Sequence, residues 1–218
     1  MFIINCKNYD EISGEKIIRL AKISQRISKK YKIPIAIAPP HHLISLITKF
    51  NVIVLTQHLD DKKVGSTTGF MIPEIVKKSK INGSLINHSE HRISEKEIRN
   101  LIKRLKRLKL KTVLCVKNVN ESKKYAKLNP TFIAIEPPEL IGTGRAISTE
   151  RPQLITKAVD GVKSAKNSTK LLCGAGIVSG KDVARAKKLG SKGILVASGI
   201  VKAKNWEKII EEFSRALV

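Results

Sequence analysis

Cysteine is scarce in this 218-residue chain, and the three that occur, Cys6, Cys115 and Cys173, form no CxxC pair. An odd number excludes a complete disulfide framework, and each lies at the end of an apolar run. We therefore interpret them as small buried residues rather than as metal ligands. No apolar run approaches the roughly 20 residues that a membrane-spanning helix needs. The first residues, Met1 to Lys7, carry no basic stretch and no cleavage site, which predicts a cytoplasmic protein.

Acidic residues are also scarce, with 18 Asp and Glu against 42 Lys and Arg, so the net charge is +24. Such an excess favours anionic partners, namely nucleic acid, an acidic membrane surface or a phosphorylated substrate. The alternative explanation is that the whole proteome is rich in lysine, or that a salty cell interior screens the repulsion. Aromatic residues make up only 4% of the chain, which leaves few platforms on which bases could stack. Because the basic residues are also spread along the sequence, nucleic acid is not the expected partner. No membrane partner is expected either.

Short apolar runs alternate with amphipathic segments eight times along the chain. The runs lack clean polar alternation, which is typical of strands covered on both faces in a parallel sheet. They are Phe2–Cys6, Pro34–Ala38, Val52–Thr56, Gly83–Asn87, Thr112–Val116, Phe132–Ile135, Lys170–Gly174 and Gly193–Ala197. Among the predicted helices, one begins at Ser94 with Glu97 three residues later, the spacing of a capping box.

Alternation of strands and helices predicts an α/β fold with right-handed crossovers. Eight strands favour a closed (β/α)8 barrel with some shortened helices, although the chain is short for one, and an open doubly wound sheet is the alternative. No break in composition separates two parts, so residues 1–218 are expected to form a single domain.

In such a barrel the chemistry lies at the carboxyl ends of the strands. Polar residues that close an apolar run are therefore the first candidates: Asn5, Lys7, Gln57, His58, Asn87, His88, Glu90 and Glu136. The last three strands are followed by small-residue segments at 142–144, 174–176 and 197–199. A cation, an imidazole and a carboxylate facing such loops are typical of proton abstraction beside a carbonyl on a phosphorylated substrate.

Several motifs resemble those of the triosephosphate isomerase family. They are Asn5-x-Lys7, Asn87-His88-Ser89-Glu90, the run AIEPPELIGTG from Ala134 to Gly144, Cys-Gly-Ala-Gly at 173–176 and Val-Ala-Ser-Gly at 196–199. The resemblance extends from the first predicted strand to the last. The short length and the form of the sixth loop are similar to the archaeal branch, which also has Ala-Ser where other members have Gly-Gly after strand eight. One departure is Lys117-Asn118, which follows Cys115-Val116 where a supporting carboxylate is common.

The resemblance implies an isomerase of glycolysis and gluconeogenesis that interconverts dihydroxyacetone phosphate and D-glyceraldehyde 3-phosphate through an enediolate. It implies that Glu136 is the base, that neutral His88 polarises the carbonyl, and that Lys7 supplies positive charge. The expected substrate-binding residues are Asn5, Lys7, Ile141, Gly142, Gly176, Ala197 and Ser198, with Glu90 in a supporting position. No metal or organic cofactor is expected, and His41, His42, His58 and His91 are interpreted as structural or surface residues.

Two loops acquire expected roles from the same resemblance. Pro137 to Gly144 is expected to act as a lid, stiffened by Pro137-Pro138 at one end and freed by glycines at the other. The loop Gly65–Gly69 is expected to insert into a neighbouring subunit of a homodimer or, as in many archaeal members, a homotetramer.

Three other functions compete with this interpretation. A nucleic-acid-binding protein would use the basic stretch from Arg99 to Lys111. Another phosphate-binding barrel, such as an epimerase or a lyase, would share the fold, but the metal ligands that most such epimerases need are absent from the strand ends. An inactive relative would not be expected to keep Lys7, His88 and Glu136 together.

Overall fold

The computed structural model describes every residue from Met1 to Val218. Eight parallel strands follow one another around a closed barrel, and the first pairs with the last through Phe2 and Ile194. The predicted barrel is therefore confirmed over the open sheet. The strands are β1 (Phe2–Asn5), β2 (Ile35–Ala38), β3 (Ile53–Thr56), β4 (Gly83–Ile86), β5 (Lys111–Val116), β6 (Phe132–Ile135), β7 (Lys170–Cys173) and β8 (Ile194–Val196).

Ten α-helices lie along the chain between and after the strands, and several are as short as the sequence predicts. They are α1 (Lys16–Tyr31), α2 (Ile44–Ile47), α3 (Pro73–Lys78), α4 (Glu95–Arg107), α5 (Val119–Ala126), α6 (Ile147–Glu150), α7 (Pro152–Lys163), α8 (Gly180–Lys188), α9 (Ser198–Val201) and α10 (Trp206–Leu217). None of them is both long enough and apolar enough to cross a membrane.

The capping box predicted at the start of α4 is present. Ser94 Oγ accepts a hydrogen bond from the backbone N–H of Glu97 at 3.3 Å, and the Glu97 carboxylate accepts one from the N–H of Ser94 at 2.8 Å. These bonds satisfy donors that a helix start would otherwise leave unpaired.

The core has two layers. Eleven buried residues, among them Ile3, Ala134 and Leu172, fill the inside of the barrel. A cluster of 50 others, among them Phe2 and Phe213, packs between the sheet and the helices.

The two-residue period of a strand explains which side chains reach the mouth of the barrel. Successive side chains alternate between faces, so a residue two positions after an inward-facing one also faces inward. Asn5 follows Ile3 by two positions, and Glu136 follows Ala134 in the same way. Both polar side chains therefore enter the barrel mouth from the top of an apolar stack.

Candidate active site

The expected site residues gather around one cleft at the carboxyl end of the barrel. The cleft is lined by Asn5, Lys7, His88, Glu136, Ile141, Gly142, Gly176, Ala197 and Ser198 together with neighbouring loop residues. Glu90 lies beside it, in the wall of an adjoining cavity. Residues from five strand ends thus meet within one small volume, although as many as 193 positions separate them in the sequence.

Lys7 reaches the cleft through a left-handed backbone conformation, with φ of 46°. The side chain of Asn5 accepts a hydrogen bond from the Lys7 N–H at 3.0 Å, and Gln57 donates to the Lys7 carbonyl at 2.8 Å. The Lys7 ammonium lies 2.6 Å from a carboxylate oxygen of Glu90. Such a backbone conformation persists only where the surroundings hold it in place, so three polar neighbours fix one cation at the cleft.

His88 follows the strand β4 and has a defined ring orientation. The backbone N–H of Glu90 donates to His88 Nδ1 at 3.3 Å. A nitrogen that accepts a hydrogen bond carries no proton, so the neutral ring has its proton on Nε2. Nε2 lies 3.8 Å from Oε2 of Glu136. The structure therefore directs an imidazole N–H donor towards the cleft, and the turn at Ser89–Glu90 orients it.

Glu136 is 7% exposed, and its Oε2 atom is buried without a hydrogen-bond partner. Its backbone N–H donates to the Val116 carbonyl at 2.9 Å, which anchors the residue directly after β6. A buried carboxylate oxygen without a partner is costly. Such an atom beside an imidazole N–H leaves a reactive oxygen available to a bound molecule.

Two residues that sequence reasoning gave no role support the Glu136 carboxylate. A Cβ atom on Gly174 would lie only 2.4 Å from Cγ of Glu136, so only glycine leaves room for this side chain. Cys115 is buried on the same side of the barrel, where burial raises the pKa of its thiol well above the usual range and the Glu136 carboxylate adds to the rise. The thiol is therefore an uncharged neighbour of the carboxylate. In the sequence, the only indication of this role is that Cys115 faces the inside of the barrel, two positions after Val113 on β5.

The small-residue loops after β7 and β8 form the other wall of the cleft. Gly176 has φ of +70°, and a Cβ atom there would lie 1.9 Å from the Arg145 carbonyl oxygen. Ala197 and Ser198 open α9, where the first backbone N–H groups of a helix have no partner within it. This wall offers backbone donors and little side-chain bulk.

The segment from Pro137 to Gly144 extends over the cleft from the end of β6. It begins with a 3-10 turn over Pro138–Leu140, in which Leu140 is buried. Gly142 and Gly144 follow with φ of 76° and 72°, and both are exposed with open space beside them. Ile141 between these parts is half-buried and lines the cleft. One end of the segment is anchored and the other is free of packing.

The four histidines expected at structural or surface positions share a cavity with His88. His41, His42, His58 and His91 line it together with Lys7 and Glu90. The rings of His58 and His91 stack with centroids 3.7 Å apart, and His58 Nε2 lies 3.4 Å from Asp60. No group of three or more His, Cys, Asp or Glu side chains is arranged to hold a metal ion.

The loop after β5 has Lys117-Asn118 where a supporting carboxylate is common, and Glu121 supplies a carboxylate to this loop instead. Glu121, in the first turn of α5, accepts hydrogen bonds from Arg92 at 2.7 Å and from the Lys117 N–H at 3.0 Å. Arg92 also donates to the carbonyl of Asn87 at 3.4 Å. Glu121 therefore connects the β5 loop to the loop that carries His88.

Comparison with known proteins matches residues 1–213 to the family model described as triosephosphate isomerase. The triosephosphate isomerase of Cenarchaeum symbiosum is 49% identical over 217 residues, covering 100% of this chain and 97% of that protein. That of Methanocaldococcus jannaschii is 42% identical and covers 97% of each chain. That of Saccharolobus solfataricus is 41% identical and covers 98% of this chain and 94% of its own length. The similarity thus spans the full barrel and extends to archaeal relatives of similar length.

Proposed function

Because the chain belongs to the triosephosphate isomerase family, we propose that Glu136, His88 and Lys7 are the groups with which it interconverts dihydroxyacetone phosphate and D-glyceraldehyde 3-phosphate. This isomerisation is a step of glycolysis and gluconeogenesis. The observation that carries the assignment is the pair formed by Glu136 Oε2, buried without a partner, and His88 Nε2, which lies 3.8 Å from it. The two side chains line the same cleft.

The proton transfers divide between these two side chains. Glu136 removes a proton from one carbon of the triose, and the electron pair of that C–H bond moves into the carbon–carbon bond while the carbonyl oxygen gains charge. His88 donates its Nε2 proton to that oxygen, and reversal of the steps at the neighbouring carbon completes the isomerisation. Both roles need groups within hydrogen-bond reach of the substrate, and both side chains line the one cleft in which a triose would lie.

Lys7 supplies the charge that the intermediate requires. An enediolate beside a phosphate carries concentrated negative charge, and a fixed cation stabilises it most in a site from which water is excluded. The Lys7 side chain is only 14% exposed, while its partner Glu90 is 58% exposed. The better-shielded member of the ion pair is therefore the one next to the substrate, and Asn5 positions its backbone.

The phosphate group is assigned to the wall formed by Gly176, Ala197 and Ser198. Backbone N–H donors on small residues can approach a phosphate closely. Gly142 and Ile141 would contact the substrate from the lid, whose closure excludes water and protects the enediolate. The two glycines with left-handed φ are the places at which the lid can bend.

The test is a coupled assay with D-glyceraldehyde 3-phosphate in which Glu136→Ala is compared with Asp160→Ala. Asp160 is an exposed carboxylate of α7, far from the cleft in the fold. Loss of a general base costs about 10²–10⁴-fold, so we expect kcat to fall by at least about 10²-fold for Glu136→Ala and to stay unchanged for Asp160→Ala. Activity of Glu136→Ala close to the parent value would assign the base to another residue.

Self-association as a homodimer or a homotetramer is the second part of the proposal. Two exposed apolar side chains, Val64 and Phe70, flank the Gly65–Gly69 loop, and Phe70 lines one groove together with the exposed Ile75. A cluster of this kind is typical of a protein interface. We expect sedimentation equilibrium to give a mass of two or four chains, and Phe70→Ser to lower it, whereas a monomeric parent would contradict the proposal.

We also expect the chain to form a single domain and to reside in the cytoplasm. One domain over residues 1–218 is supported by the single closed sheet that contains all eight strands. A cytoplasmic location is supported by the place of the reaction in glycolysis.

A further inference from the structure

The loops that lead from a helix into the next strand share a charge pattern that the isomerase reaction does not explain. There are seven, at 32–34, 48–52, 79–82, 108–110, 127–131, 164–169 and 189–193, and none contains Asp or Glu. Each contains one lysine. We call these residues the lysine ring: Lys32, Lys49, Lys80, Lys109, Lys127, Lys166 and Lys192.

The fold gathers the lysine ring on one face. In a closed parallel barrel every such loop lies at the amino end of the strands, opposite the candidate active site. All seven lysines are exposed, and none takes part in an ion pair. Residues spread over 160 positions of the sequence therefore form one basic surface.

The negative carboxyl ends of the helices offset only part of this positive charge. The carboxyl end of a helix carries about −0.5 of an elementary charge, so eight helices ending at this face contribute roughly −4 at most. The lysine ring alone exceeds that sum. Basic residues in the last helical turns, such as Lys29, Lys77 and Lys188, add to the excess. A net positive field therefore remains after the dipoles are neutralised.

The same face of the barrel has a concave site suited to a phosphate group, to which Lys109 of the ring contributes. A groove of about 280 Å³ is lined by Lys106, Lys109 and Lys111 together with the hydroxyl-bearing residues Thr131 and Ser168, and it has no carboxylate in its wall. Lysine, serine and threonine side chains are common donors to nucleic-acid phosphates.

We propose that the lysine ring is a docking surface for the phosphodiester backbone of a nucleic-acid duplex, bound without regard to sequence. A duplex offers the highest density of phosphate charge and hides its bases. Single strands are bound by stacking on exposed aromatic side chains, whereas Phe50, the one aromatic residue of these loops, packs partly against the core. Membrane-surface binding gains strength from apolar side chains that enter the lipid, and none of the large exposed apolar side chains lies in the seven loops.

The spread of basic residues along the sequence is thus no argument against a nucleic-acid partner, because the barrel topology brings them together. The two activities lie on opposite faces of the barrel. Binding of a duplex is therefore independent of the isomerase assignment.

The experiment measures fluorescence anisotropy of a labelled 20-base-pair DNA or RNA duplex of random sequence, titrated with the full-length protein over a series of salt concentrations. The test variant carries Lys80→Gln, Lys109→Gln and Lys127→Gln, three neighbouring members of the ring. The control variant carries Lys96→Gln, Lys181→Gln and Lys208→Gln, exposed lysines in the first turns of α4, α8 and α10 that have no ion-pair partner. Both variants lose three charges, and their isomerase activity reports that they are folded.

We expect the parent to bind with micromolar or better affinity at about 50 mM salt, with a steep inverse dependence on salt. The test variant should bind at least tenfold more weakly, and its salt slope should be smaller by about three. The control variant should stay within about threefold of the parent, and Glu136→Ala should bind like the parent.

Three results would overturn the proposal. If the parent protein does not bind the duplex at low salt, the proposal is wrong. Equal losses in the two triple variants would assign binding to net charge alone. Tighter, ring-dependent binding to vesicles of phosphatidylserine and phosphatidylcholine than to the duplex would identify the face as a membrane-docking surface instead.

Discussion

Gly174 and Glu136 are in such close contact that a Cβ atom on Gly174 would lie 2.4 Å from Cγ of Glu136. The contact lies below the carboxylate proposed as the base, at the point where β7 ends beside β6. The position of the carboxylate therefore depends on the absence of a side chain on the neighbouring strand.

Gly174→Ala should consequently lower kcat while leaving the barrel folded. A methyl group there must displace the Glu136 side chain, and a shift of about 1 Å in a catalytic group can cost on the order of 10²-fold in rate. We expect a loss of that size in steady-state assays. Gly161→Ala is the matched control, because a Cβ there meets only Lys123, whose Cβ is the nearest atom at 3.3 Å, far from the site. Equal activity of the two variants would contradict the role of Gly174.

The His88 ring should carry its proton on Nε2 in the neutral form. The reason is the hydrogen bond that Nδ1 accepts from the Glu90 N–H. Nitrogen-15 spectra of labelled protein at alkaline pH should show Nδ1 without a proton and Nε2 with one. The opposite tautomer would remove the donor from the cleft and with it the proposed role of His88.

Lys7→Met should lower kcat/KM by about 10²–10³-fold, the size of the loss when one preorganised electrostatic group is removed. The substitution also leaves the Glu90 carboxylate, 2.6 Å from the ammonium, without its partner. Steady-state kinetics would measure the change, with Lys204→Met as the control, since Lys204 is exposed and unpaired. An unchanged kcat/KM would exclude Lys7 from the active site.

Stability should fall as the pH decreases below about 6.5, the ordinary pKa of histidine. Burial lowers the pKa of His58, and the neighbouring His91 lowers it further. The unfolded chain therefore binds more protons than the folded chain in this window, so the free energy of unfolding rises with pH. His58→Gln should weaken the fall in melting temperature between pH 7.5 and 5.5. His42→Gln, an exposed residue of the same cavity, should not, and equal pH dependence in parent and His58→Gln would refute the assignment.

Arg104 should stabilise the protein more than its surface neighbours on α4 do. It lies 2.8 Å from Asp61, and it also pairs with Glu74 and donates to the carbonyl of Lys62, so it connects α4 with α3 and the loop after β3. Lysine cannot reproduce this fork, and partial exposure screens the loss. We expect Arg104→Lys to cost about 1 kcal/mol in denaturant unfolding. Arg99→Lys, an exposed pair with Glu95 one turn away, should cause no measurable change.

The sequence by itself predicted the barrel and the strands within about one residue at each end. Eight buried apolar runs at regular intervals permit few other folds, because parallel strands with helical crossovers must cover both faces of a sheet. The same reasoning predicted that the polar residues at the carboxyl ends of the strands lie together at one end of the barrel. The family motifs identified Lys7, His88 and Glu136 among them, and their roles stay predictions.

Only the tertiary structure decided the relations between side chains from distant strands. The space that Gly174 leaves for Glu136, the proton position on His88 and the ion pair between Lys7 and Glu90 depend on atoms placed by different strands. Periodicity in a sequence reports which face a residue takes but not which residue of another strand it meets. The lysine ring also depends on the tertiary structure. Its lysines show no pattern along the sequence, and they form one surface only because the closed barrel places all seven loops at the same end.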